Sequence, residues 1–140
     1  MISIKDRSQP KIINVDDTVG NTKDFHSHVL TILHHNVQSL SNKVLQLSIL
    51  LNSDFIHADI LCFTEYWLME EQIRVLNTDN FKSVSNCTRL SSNHGGLCIF
   101  VQQDQQTKEV NYLKGIGSEK VFEITVVGMV DFKFTLVHTH

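Results

Sequence analysis

Two polar residues, Asn36 and Glu65, stand directly behind apolar runs, VLTILHH in one case and ADILCFT in the other. An amide oxygen and a carboxylate are hard donors. Such a pair suits Mg²⁺, which takes one or two protein carboxylates, keeps several waters and completes its shell from a phosphate. Polar residues just past strand ends also serve as caps and turns, so residue type alone leaves both roles open.

Histidine offers a competing chemistry, because the chain has 8 of them and several come in pairs: His26 with His28, His34 with His35, His138 with His140. Two HxH pairs could each supply two imidazoles to zinc. No cysteine joins them at finger spacing, however, and a strand would turn His34 and His35 to opposite faces, so hydrogen-bonded or solvated histidines are the expectation. The 3 cysteines, Cys62, Cys87 and Cys98, contain no CxxC pair, and two of them lie inside apolar runs. They predict buried free thiols, with no disulfide partner and no zinc finger.

The elements that must position Asn36 and Glu65 follow from the patterning. Residues 29–35 read as a buried strand, rich in β-branched and aliphatic side chains. Ser41 is placed to cap a helix with Val44, Leu47, Leu50 and Leu51 at spacings of three and four, and Leu40 with Leu45 could form a staple across its first turn. Residues 58–63 form a nearly unbroken apolar run, as expected of a central strand covered on both faces. Strand, helix and strand make a βαβ unit with parallel strands, whose C-terminal ends share one sheet edge. That edge would bring Asn36 and Glu65 together.

A short helix is expected over 69–77. Strands are expected over 81–87 and 97–101 around the loop TRLSSNHGG, and over 121–127 and 132–138 as a hairpin around GMVD. QQDQQTK, at 102–108, reads as a polar loop. Residues 1–27 carry few apolar side chains and the only proline, which predicts a mobile leader. Amide protection at Ile12 and Ile13 would instead mark an added edge strand.

The chain of 140 residues is 41% hydrophobic with a formal charge of −3, so it is neither a self-repelling disordered tail nor a basic nucleic-acid coat. No run of about 18 apolar residues occurs, and the polar N-terminus does not resemble a signal peptide. An intracellular chain, nuclear or cytoplasmic, not secreted and without a membrane partner, is the expectation.

From Leu30 onward the motifs resemble, in order, the start of the endonuclease/exonuclease/phosphatase superfamily, specifically the apurinic-endonuclease-like domain of non-long-terminal-repeat retrotransposon polyproteins. ILHHNVQSL resembles the first motif, a strand ending in Asn followed by a small residue and Leu. ADILCFTEYWL resembles the second, an apolar strand followed by Thr, Glu, a variable residue and Trp. SNCTRLSSNHGGLCIFV resembles the third, and EKVFEITVV with FKFTLV the next two strands.

The resemblance implies an α/β fold, the N-terminal part of a DNase-I-like sandwich in which two β-sheets face each other with helices outside. It implies Glu65 as metal ligand and Asn36 as the residue orienting a metal water or phosphate, both catalytic, with Mg²⁺ or Mn²⁺ as cofactor and DNA as partner. Arg89, His94, Gly95 and Gly96 would lie near the DNA backbone, although a plain hairpin turn fits them as well. Trp67 would match a family tryptophan, for which a core role is expected over base stacking. The family's Tyr-bearing turn, Asp-x-Asn and terminal Asp-His motifs have no counterpart here. Residues 28–140 are therefore expected to be a truncated endonuclease domain, ancestrally a Mg²⁺-dependent DNA phosphodiesterase and inactive as this chain. A non-catalytic nucleic-acid or metal-binding module and a structural relic without a partner are the alternatives.

Overall fold

The computed structural model describes residues 2–5, 11–16, 29–51, 57–69, 71–72, 80–88, 94–110, 124–130 and 134–139. These form a mixed α/β structure dominated by strands: β1 (Ile2–Lys5), β2 (Lys11–Asp16), β3 (Val29–Asn36), β4 (Ile60–Thr64), β5 (Phe81–Cys87), β6 (Leu97–Gln102), β7 (Thr107–Lys108), β8 (Ile124–Met129) and β9 (Phe134–Thr139). A 3₁₀ turn, Leu40–Asn42, and one α-helix, α1 (Val44–Leu51), lie between β3 and β4.

The strands make two sheets, β2-β3-β4-β6-β5 and β1-β9-β8-β7. In the first, β3 and β4 are parallel and every other pair is antiparallel, so the βαβ expectation holds for this pair. Period-two alternation sends Leu30 and Ile32 of β3, Ile60 and Cys62 of β4, and Ile99 and Val101 of β6 to one face. There they share a buried cluster with Val127, Met129 and Leu136 of the second sheet. A hydrogen bond between Ser85 Oγ and Thr125 Oγ1, 2.5 Å, joins β5 to β8 within that interior. The opposite face of the first sheet holds Leu33, Leu61, Phe63 and Phe100, packed with Leu40, Tyr66 and Leu68. Burial on both faces explains why 60–63 reads as continuous apolar sequence.

Several expectations need correction. Within the expected leader, Ile2–Lys5 pairs parallel with β9 and Lys11–Asp16 pairs antiparallel with β3. The short apolar stretches there, ISI and KIINV, have a neighbouring edge on which to satisfy their backbone hydrogen bonds, which composition does not reveal. Ser41 lies inside the 3₁₀ turn rather than capping α1. Leu45 is 74% exposed while Leu40 is fully buried, so the staple does not form. Gly128 and Met129 of GMVD continue β8, and Val130 is the turn residue that follows it. The end of the polar segment 102–108 is β7, paired with β8. Most of the helix expected over 69–77 lies outside the described residues. Among the described residues no helix is long and apolar enough to cross a membrane.

The three cysteines are free, with Cys62 and Cys98 buried and Cys87 half-buried. Burial raises the Cys62 thiol far above its ordinary value of 9.0 and raises Cys98 as well, with the charge of Cys62 adding to the latter. Iodoacetamide is therefore expected to modify Cys87 in the native protein and Cys62 and Cys98 only on unfolding. The linkage sign also follows. Groups with raised folded-state values keep their full stabilising effect below the unfolded thiol value and lose it as pH rises through and above that value. Urea midpoints measured between pH 8 and pH 10 should fall, and less steeply after Cys62→Ala.

Candidate functional site

β3 and β4 run parallel with Asn36 in register with Thr64, so Glu65, the next residue, lies beside the end of β3. The two expected ligands thus stand at the C-terminal ends of neighbouring strands. Three chain segments are laced together there by backbone hydrogen bonds. Val37 N–H donates to Thr64 O at 3.0 Å, Ser39 N–H to Glu65 O at 2.9 Å, and Leu40 N–H to Tyr66 O at 2.9 Å. Glu65 N–H donates to Gly96 O at 3.0 Å and Trp67 N–H to Gly95 O at 3.2 Å, which brings in the paired-glycine turn before β6.

The backbone at this edge is unusual. Five non-glycine described residues have positive φ, and four of them, Gln38 at 43°, Ser39 at 80°, Glu65 at 56° and Trp67 at 54°, belong to this lacing; the fifth is Asn80. Each such residue costs of order 1 kcal/mol or more and persists only where its surroundings enforce it, and such residues cluster at functional sites. Gly95 and Gly96, at φ 94° and 90°, complete the turn.

The side chains form a chain of contacts. Trp67 Nε1 donates to Glu65 Oε2 at 2.8 Å, and the Trp67 ring stands perpendicular to the His94 ring with centroids 4.6 Å apart. Trp67 is half-buried and not part of the core, contrary to the core expectation. Tyr66, between Glu65 and Trp67, is fully buried and hydrogen-bonds Thr88 Oγ1 at 2.5 Å, anchoring the segment from beneath. Asn36 Oδ1 is buried. Thr64 Oγ1 is buried with no hydrogen-bond partner among the described residues, an arrangement that is costly unless another polar atom meets it.

These donors fit a magnesium-like cation: one carboxylate, one amide oxygen and an orphaned hydroxyl in the same strand-end layer are hard oxygen ligands. Among the described residues no group of three or more His, Cys, Asp or Glu could hold a metal ion, so a cation here would rest on these few oxygens and its own waters. Of the expected DNA-facing residues, the structure places His94, Gly95 and Gly96 at this edge, while Arg89 lies outside the described residues.

The adjacent pair His34 and His35 does not act together. His34 and His35 separate, with His34 fully buried. Its ring meets that of His138, also fully buried, edge-on at 5.2 Å across the two sheets. His26, His28 and His140 lie outside the described residues. Sequence reasoning missed the role of Trp67 and the backbone strain; the two-residue spacing of Glu65 and Trp67 was the available signal for the first. Compared with known proteins, the chain matches no family model and no curated protein.

Proposed function

We propose that the chain is the metal-side portion of a retrotransposon-type endonuclease domain with a DNase-I-like fold, which holds a divalent cation at the β3/β4 edge and presents it to a nucleic-acid phosphate without cleaving it unaided. The observation that carries this reading is the convergence of Asn36 and Glu65 at the one edge where four strained non-glycine residues gather. The face-to-face sheets and the motif order support it.

Glu65 brings the negative charge and Asn36 the amide oxygen. Bound there, Mg²⁺ or Mn²⁺ supplies Lewis-acid stabilisation of charge on a phosphoryl oxygen. Of the His94, Gly95, Gly96 turn, the exposed His94 is the part a phosphate chain could reach, while Gly95 and Gly96 are buried. Hydrolysis also needs groups that position water and meet charge on the leaving oxygen, and losing members of such a set commonly costs factors of hundreds or more. The Asp-x-Asn and Asp-His motifs that would supply them have no counterpart in these residues.

The test is plasmid nicking alongside duplex-DNA binding. With Mg²⁺, the protein should nick supercoiled plasmid no faster than its Glu65→Gln variant. It should bind short duplex DNA with an affinity that falls as salt rises, as phosphate neutralisation requires, and that drops in Glu65→Gln. Mg²⁺-dependent nicking that disappears in the variant would make the chain a competent nuclease. Absence of both cation and DNA binding would leave a structural relic.

A further inference from the structure

Resting on the cation-site reading above, the geometry points to Trp67 as a positioning residue for the Glu65 carboxylate. The indole N–H donates to Glu65 Oε2 at 2.8 Å, while the indole ring is braced by His94 at a centroid distance of 4.6 Å. Both Glu65 and Trp67 are locked by backbone bonds to the Gly95 and Gly96 carbonyls, each with φ in the left-handed region. The carboxylate is therefore held from its own side chain and from its backbone.

The donor type matters. An ionised carboxylate has about four lone-pair sites on two oxygens, and the indole nitrogen is a donor only. Binding Oε2 through a neutral N–H restrains the orientation of the carboxylate at the strand-end edge. A lysine or arginine in the same place would also orient the group but would cancel the charge that attracts a metal. Trp67 orients it and leaves the charge intact, the role that outer-shell hydrogen-bond partners play toward metal ligands. A tryptophan present only for packing would bury its ring in the outer-face cluster, as Tyr66 does; Trp67 instead stays half-buried with its polar atom on Glu65.

Trp67 is the only tryptophan in the chain, so it reports on its own role. In the full chain, Mn²⁺ is expected to quench its fluorescence saturably, with Mg²⁺ competing, and neither effect should survive Glu65→Gln. In Trp67→Phe, Mn²⁺ affinity read by electron paramagnetic resonance of the free ion should weaken by about 10–100-fold, with the circular dichroism spectrum unchanged. If Trp67→Phe fails to fold, the wild-type indole N–H resonance decides: it must shift saturably with Mg²⁺ and lose that response in Glu65→Gln. Glu65-dependent Mn²⁺ binding with undiminished affinity in Trp67→Phe, or an indole resonance indifferent to bound Mg²⁺, would overturn the positioning role and leave the cation site standing. No Glu65-dependent ion binding in the wild type would overturn both.

Discussion

Phe63→Ala is expected to lower the free energy of unfolding by about 3–5 kcal/mol, the usual cost of emptying a buried phenylalanine site. Phe63 is fully buried in β4, the strand flanked by β3 and β6, and its ring packs on Phe100 with centroids 6.0 Å apart. A domain of this size has roughly 5–15 kcal/mol in total, so the variant would retain only a fraction of the margin. The check is urea unfolding: the midpoint should fall with the slope unchanged, and Phe63→Leu should recover most of the loss. The site should suffer indirectly, because Glu65 stands two residues further along the same chain. Cation binding by Phe63→Ala should track the folded fraction, whereas in Glu65→Gln it should be lost from a fully folded protein.

Gly96→Ala should cost about 2–4 kcal/mol, combining overpacking with an unfavourable backbone conformation. A Cβ built on Gly96 would lie 2.6 Å from Tyr66 Cε1 and 2.9 Å from Cζ, contacts too short to keep. Tyr66 is fully buried and tied through its hydroxyl to Thr88, so it has little room to withdraw. Gly96 is also at φ 90°, where a β-carbon is unfavourable. Because Gly96 O accepts the Glu65 N–H, any relief of the clash moves the residue that carries the negative charge. Gly96→Ala is thus expected to lower both the unfolding midpoint and, measured in the remaining folded protein, Mn²⁺ affinity. Unchanged ion affinity in a destabilised Gly96→Ala protein would show that the turn supports Tyr66 alone.

Much of the candidate site was legible because it depends on short-range rules. Parallel strands joined by a helix place their C-terminal ends on one edge, so two apolar runs ending in Asn36 and Glu65 suffice to predict that these residues meet. The faces of β3, β4 and β6 follow from period-two alternation in the same way. The capping of α1 was not legible, because a serine before an apolar pattern looks the same whether it caps the helix or lies in a preceding 3₁₀ turn. The strands Ile2–Lys5 and Lys11–Asp16 were not legible for a related reason: a short strand at a sheet edge gains its stability from a neighbour far away in sequence, Phe134–Thr139 for the first and Val29–Asn36 for the second.

What the residues alone determined is the mixed α/β class, the parallel β3/β4 unit and the shared location of Asn36 and Glu65, since each follows from local periodicity and the handedness of chain crossovers. What only the tertiary structure decided is which groups surround them. Three loops distant in sequence are laced by backbone hydrogen bonds into positive-φ conformations, the Trp67 indole turns from the core to Glu65, and His34 meets His138 across two sheets. Such contacts depend on how the sheets stack and where loops cross, and these are set by the packing of the whole interior rather than by any one segment.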